Sequence, residues 1–545
     1  MKRFFALLLA LVMTVGLAAC TSGEQNDGPD ASNNPSGSIG PSGEVSPGPG
    51  TVDEESARYG GTFVFAATPG DTYDPMFTSG WKSYYWSMNV YENVISRDAE
   101  GNLCPGVCNF ELSEDSLTLK LWVRDGVTFH NGDPVDIEDV KASLDRASVK
   151  VSRTKNHVYK YLDSMEIEGG VLTMHFNTYD VTTMYYLSAN QTWNVVLPKE
   201  ICEKYGVDNA ITDVADAIGT GPYTVDPSSE PGVKMVLNRY DGYTPVEEGH
   251  TGMGAPKKAY FDTIIVQKFG DDSVTMMSLM DGSLDFALYS DEWSSVLSGY
   301  DNLIIYPDRD VNANYINFNC MNPSRPVYNA NIRKAIAAAL DYSEIMAYQY
   351  PLGFNKSSSP ISEGAYYAGI YASADYHGGA NVELAKKYLK DAGYNGEKIV
   401  YVTDATDSLA PLLKTQLAAA GIELEVEYMD SGSIDEYIQN HSNPYDFTVQ
   451  RSAVCDYIPT TLATNFMQDH WENARKTELL SELGKLVYGS EESIAAWKEL
   501  DQLLADECPS ICIGNGGSYY VANNLNWNCE GVWRYWWNAY FYNDK

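Results

Sequence analysis

The side chains able to do chemistry leave few marks of catalysis. Seven histidines are dispersed along the chain, and none forms an HExxH or HxxxH pair that would grip zinc on one helix face. There is no GxSxG nucleophile turn, no GxxxxGK[ST] phosphate loop and no GxGxxG after a strand. Gly219-Thr220-Gly221-Pro222 has the look of a phosphate loop, but Pro222 lacks a backbone N–H that such a loop would use. The 74 acidic residues supply many carboxylate pairs, so hydrolysis by two acids stays open at this point. Eight cysteines follow residue 20: Cys104, Cys108, Cys202, Cys320, Cys455, Cys508, Cys512 and Cys529. The Cys104/Cys108 and Cys508/Cys512 spacings lack the paired CxxC pattern of a zinc site, so one or two disulfides are expected and no metal. No cofactor is expected.

The N-terminus says where these residues work. Lys2 and Arg3 precede an apolar run from Phe4 to Leu17, followed by Ala18-Ala19-Cys20. A basic start, a short apolar stretch and small residues make a secretory signal, too short to span a bilayer comfortably. Leu17-Ala18-Ala19-Cys20 resembles a bacterial lipoprotein signal, in which Cys20 would be lipidated on its thiol and become the first mature residue. The plainer alternative is an ordinary signal peptide with an incidental cysteine. Residues 21–57 are rich in Gly, Pro, Ser, Asn and Asp without apolar periodicity. They read as a flexible tether with a root-mean-square reach of roughly 30–35 Å.

With 44% hydrophobic and 20% charged residues overall, the chain carries a globular body beyond the tether. The chain's net charge of −37 argues against nucleic acid as a partner, because phosphate binding needs basic patches; a cationic ligand is permitted. Forty tyrosines and 11 tryptophans suit a ligand cleft as well as a core. Thr62–Phe65, Leu117–Arg124, Tyr260–Val266, Val311–Phe318 and Ile422–Tyr428 read as strands. Asp136 opens a helix, with Asp139 three residues on as an approximate capping box and Ile137, Val140 and Leu144 as the apolar stripe. Asn331–Leu340 and Val382–Leu389 are further helices, the latter ended by Gly393. Asp125-Gly126 and Asn131-Gly132 signal turns. Strands and helices mixed throughout argue for α/β lobes.

These segments form a recognisable series. Tyr91-Glu92-Asn93-Val94 precedes Pro105-Gly106, then Leu117 through Asp125-Gly126-Val127-Thr128-Phe129-His130-Asn131-Gly132-Asp133-Pro134, then Ile137-Glu138-Asp139-Val140. Tyr73-Asp74-Pro75, Gly219–Tyr223, Asp281–Asp285, Asn317-Phe318-Asn319, Ile332–Ile336, Ala339-Leu340-Asp341 and Ala385 through Ala392-Gly393-Tyr394 follow in order. The whole closely resembles the oligopeptide/dipeptide-binding proteins of ABC importers, extracellular solute-binding protein family 5. Their pattern runs "YE-x-L", "PGLA", "F-x-LRDGVKFHDGTPLTAEDV". The resemblance covers about residues 60–535.

It implies an α/β, two-lobed, hinged fold of the type II periplasmic-binding-protein kind, with mixed sheets flanked by helices. Lobe I would comprise 58–95, 216–306 and 508–545. An extra subdomain at 96–215 would lie on it, and lobe II would run from 307 to 507, after a signal at 1–20 and the tether at 21–57. It implies capture of short peptides between the lobes and delivery to an ABC permease, without enzymatic activity. By that resemblance Cys455-Asp456-Tyr457-Ile458-Pro459 looks like the segment whose Asp pairs with a peptide ammonium, one residue short, with Tyr457 beside it. The bland alternative is an Asp capping a turn. Arg451, five residues earlier, would meet a carboxylate end, or else form a surface or lobe-closing ion pair. Ser79-Gly80-Trp81 matches a loop lining the cleft, where Trp81 would stack on ligand or merely pack, and Asn314 and Tyr315 would line the cleft floor beside the hinge. The tail from Trp533 to Tyr540 reads as packing. An oligosaccharide or other small solute is the alternative ligand, a nickel complex is less attractive, and a cell-surface hydrolase is a remote alternative. A lipid-anchored monomer on the outer face of a cell membrane, in a bacterium lacking an outer membrane, completes the expectation.

Overall fold

The computed structural model describes residues 58–77, 81–98, 101–151, 154–188, 193–288, 293, 297, 299–307, 312–351, 354, 359, 379–405, 407–453, 470–487, 489–516, 519–527 and 536–542. Alternating apolar residues build the first sheet. Phe63 and Phe65 of the strand Thr62–Ala66 pair with Ile264 and Val266 of the parallel strand Thr263–Gln267, and all four are buried in one core. The seven strands run in the order Leu303–Pro307, Tyr519–Asn523, Phe286–Leu288, Thr62–Ala66, Thr263–Gln267, Lys234–Arg239, Tyr223–Val225. The core beneath is aromatic: Phe63 stacks on Phe261 at 4.9 Å, and Trp536 lies 4.8 Å from Phe286. Trp536 and Trp537 of the C-terminal run are fully buried.

A four-stranded antiparallel sheet, Cys108–Leu112, Thr118–Val123, Val171–Phe176, Leu162–Glu168, forms the subdomain. Leu119 and Leu121 face Met174 and Leu172 across the register, and Val140 and Leu144 of helix α2 (Ile137–Lys150) share their core. The capping box is complete: Asp136 accepts from the Glu138 and Asp139 amides, and Asp139 accepts from the Asp136 amide at 2.9 Å. Gly126 and Gly132 take the positive φ their turns require.

Two devices hold the subdomain to the first lobe. Arg146 of α2 makes a bidentate pair with buried Asp74, Nη1 to Oδ1 at 3.1 Å and Nη2 to Oδ2 at 2.6 Å. Asp74 also accepts the amides of Met76 and Ile211. Nearby, Gly219 and Gly221 cross the C-terminal end of helix α1 (Trp81–Val90). A Cβ on Gly219 would stand 2.0 Å from the Val90 carbonyl oxygen, and one on Gly221 2.6 Å from that of Asn89. Close backbone approach explains these glycines.

The chain leaves the first sheet after Pro307 and enters a second at Asn312; it returns between Gly516 and Tyr519. The second sheet runs Leu424–Met429, Ile399–Asp404, Phe447–Ala453, Asn312–Phe318, Ser510–Gly516. Ser510–Gly516, expected from the sequence in the first lobe, pairs with Asn312–Phe318 here; buried at every position, it offers no polar alternation that would reveal its sheet. The helices Ala330–Ala339, Val382–Ala392, Ala410–Ala420, Ala474–Leu483 and Glu491–Glu507 contribute to this lobe's core. Val382–Ala392 stops at Gly393, whose φ is 71°.

The expected disulfides do not form among the described cysteines. Cys104, Cys108, Cys202, Cys320, Cys508 and Cys512 are buried thiols outside any disulfide, and Cys455 and Cys529 lie outside the described residues. Their burial accounts for the chemistry: it pushes Cys104, Cys108 and Cys508 up to about 12, and Cys202 and Cys320 to about 11.

Candidate functional site

The two crossings set the strands Asn312–Phe318 and Ser510–Gly516 side by side at the lobe boundary, with Phe447–Ala453 on the other flank. Antiparallel register decides which side chains meet. Asn314 stands opposite Arg451 and Gly514, so these three share a face; Tyr315 stands opposite Gln450 and Cys512 on the other. The pairing with Ser510–Gly516 shifts register between Asn314 and Tyr315, a bulge of the kind that re-aims side chains near sites.

Asn314 is fully buried. Its Nδ2 donates to the Gly514 carbonyl at 3.3 Å, and its Oδ1 accepts from the Tyr350 hydroxyl at 3.2 Å. Tyr350, just past the helix Tyr342–Gln349, lies so close to the sheet that a Cβ at Gly516 would stand 2.5 Å from its ring. The exposed Arg451 guanidinium sits 5.8 Å from the centroid of that ring, within cation–π range. The result is a cation resting on an aromatic ring whose hydroxyl is itself anchored by a buried amide. A guanidinium presented this way suits a carboxylate, which it can take bidentately. Among the described residues no carboxylate is in an ion pair with Arg451, and no group of three metal-ligating side chains exists.

The opposite face is polar and closed. Tyr315 packs with Ala313 and Cys512 at 3% exposure. Asn317 donates to Gln450 Oε1 at 2.9 Å and accepts from the Ser510 hydroxyl at 2.6 Å. On the first lobe, the Tyr85 and Tyr520 hydroxyls meet at 3.3 Å, and Trp536 Nε1 donates to the Tyr85 carbonyl.

Of the residues singled out in the sequence, the structure therefore brings Arg451 and Asn314 together and turns Tyr315 away from them. Trp81 opens α1. Ser79, Gly80, Asp456, Tyr457 and Cys20 lie outside the described residues; the strand carrying Arg451 ends at Ala453, three residues before Asp456. Tyr350 was not anticipated. Its only sequence signal is the Tyr350-Pro351 step that ends a helix, and nothing in that spacing ties it to Asn314.

Two α/β lobes joined by two crossings, with a subdomain on the first, define the class of two-lobed ligand-binding proteins. The model for bacterial extracellular solute-binding proteins, family 5 (middle region), matches residues 76–468, and the chain belongs to that family. It is 24% identical over 377 residues to a probable peptide ABC transporter periplasmic-binding protein of Sinorhizobium fredii, covering 66% of this chain and 69% of that protein. It is also 24% identical over 369 residues to the glutathione-binding protein of Escherichia coli, covering 66% and 68%. Among solved structures, the periplasmic binding protein DppA of Helicobacter pylori, in complex with the peptide STSA, superposes with a TM-score of 0.65. The identity there is 17%, over 90% of this chain and 99% of that one. The likeness to solved structures confirms the expected fold.

Proposed function

We propose that this protein is the lipid-anchored receptor of an ABC importer, capturing short peptides between its lobes and presenting them to the permease without altering them. The observation that carries the reading is Arg451, a cation seated on Tyr350 and lacking an acidic partner among the described residues, in a chain of this family. Arg451 would take the peptide's carboxylate end. Asp456 and Tyr457, a few residues on, would receive its ammonium end, since a desolvated carboxylate discriminates strongly for an amine. Ser79, Gly80 and Trp81 would shape the cleft, while buried Asn314 would hold Tyr350 beneath Arg451. Lipidation of Cys20 would hold a monomeric trap within the reach of its 37-residue tether.

The test is native mass spectrometry of ligand released from freshly purified protein, together with thermal shift against a defined tri- to pentapeptide mixture and against glutathione. A peptide ligand, and a thermal shift lost in Asp456→Ala and weakened in Arg451→Ala, support the reading. A released glycan, or peptides that leave the melting temperature unmoved, overturn it. Metabolic labelling with palmitate, abolished in Cys20→Ala, tests the anchor.

A further inference from the structure

The subdomain touches more than the lobe that carries it. Its short helix α3 (Val181–Leu187) is capped by Asp180, which accepts from the Thr182 amide at 2.9 Å, while the Thr183 amide donates to the Asp180 carbonyl. One first-turn donor is left over, the amide of Val181. It donates at 3.1 Å to the carbonyl of Gly484, the residue capping the helix Ala474–Leu483. Val181 belongs to the subdomain core, whereas Leu479 and Leu483 belong to the core of the second lobe. Among the described residues this is the one backbone hydrogen bond joining the second lobe to the rest of the body.

The chemistry of the junction is complementary. A helix N-terminus offers donors its own turn cannot use, and a C-terminus offers spare carbonyls; their partial charges are opposite in sign. The donor side is rigidly mounted. Thr182 Oγ1 lies 2.9 Å from His157 Nδ1, the Thr183 hydroxyl donates to the His157 carbonyl at 2.9 Å, and the Tyr186 ring stacks on His157 at 4.2 Å. The acceptor side is equally set, since the Gly484 and Lys485 amides close the last turn onto Leu480 and Glu482.

We propose that Val181 and Gly484 form a latch. The subdomain, mounted on the first lobe by Asp74 and Arg146, grips the second lobe at a point separate from the two hinge crossings. Opening the lobes from this arrangement then requires parting these helix ends, and the latch biases the empty protein toward the closed arrangement in which they touch. The inference needs no assumption about the ligand.

Proline tests it with little disturbance. Val181 is the first helical residue, where proline is tolerated and only the amide is lost, and Asp180 already has the extended backbone that precedes a proline (φ −134°, ψ 126°). Val181→Ala removes comparable packing and keeps the donor. In the full-length, unliganded protein, small-angle scattering should report about a five-fold rise in the ratio of open to closed protein for Val181→Pro relative to Val181→Ala. That ratio corresponds to ~1 kcal/mol, the net worth of one hydrogen bond. Equal open populations in the two variants, whether raised or not, overturn the latch. A second measurement needs no variant: the Val181 amide, which donates to the Gly484 carbonyl, should exchange with solvent many-fold more slowly than an unstructured amide. Exchange at the unstructured rate overturns the proposal even if the proline variant fails to fold.

Discussion

His130 makes the stability of this protein sensitive to acid, and the size of the effect follows from its contacts. Its Nδ1 accepts the Gly219 amide at 3.2 Å, so the ring proton belongs on Nε2, which faces the Gly221 carbonyl at 3.0 Å. The hydrogen-bond pattern thus selects one neutral tautomer. Burial pulls the ring's pKa down from 6.5 to about 4, against weaker opposing effects of the Gly221 carbonyl and Glu92. Between those values the unfolded chain holds a proton that the folded one lacks, so stability rises with pH through this window. The contribution is complete above about pH 6.5 and is lost as pH falls toward 4. The full gap corresponds to about 3 kcal/mol at 1.36 kcal/mol per pH unit. His130 as a residue is only partly buried, and solvent screening trims the working figure to about 2 kcal/mol. Urea unfolding followed by tryptophan fluorescence, at about pH 7 and about pH 4.5, should show the wild-type chain losing about 2 kcal/mol more than His130→Gln. The glutamine amide can still donate to Gly221 but cannot titrate. Equal losses in the two proteins would refute this reasoning and place the acid sensitivity in the carboxylates.

Other outcomes follow from burial and geometry. Asp74→Asn leaves the 3%-exposed Arg146 without its counter-charge and should cost about 3–5 kcal/mol in urea unfolding. The Asp74→Leu, Arg146→Met double variant should recover only part of this, because the Met76 and Ile211 amides lose their acceptor. Gly219→Ala collides with the Val90 carbonyl and should abolish soluble expression, whereas Thr220→Val removes a buried hydroxyl that has no partner among the described residues and should raise stability by about 1 kcal/mol. The six described thiols should resist a thiol-disulfide reagent at mildly alkaline pH in the native protein, and unfolding should add six reactive thiols to the count.

Local devices were legible in the sequence and tertiary ones were not, for a physical reason. The capping box at Asp136 and the glycine stop at Gly393 are written within a few residues of where they act, as is the alternation in Thr118–Val123. The lobe to which Ser510–Gly516 belongs depends instead on pairing with residues nearly 200 positions away. Tyr350 and the latch share this character: each is one member of a pair whose other half lies in a different element. Asn314 and Arg451 could be flagged singly from a resemblance, but only the register shows that they face each other.

The segment Gly219-Thr220-Gly221 shows the same limit in its sharpest form. A phosphate loop and a close crossing of two backbones both demand the absence of a Cβ, so they produce similar strings of glycines. They differ in what comes near. An anion site turns backbone N–H groups toward its ligand; here the neighbours are the carbonyl oxygens of Val90 and Asn89, and the Gly219 and Gly221 amides are already held by His130 Nδ1 and the Val90 carbonyl. No donor of either glycine is left for phosphate. The crossing therefore serves as a joint between α1, the subdomain turn at His130 and the first sheet, which is why the acid sensitivity argued above and the intolerance of Gly219→Ala arise at the same place.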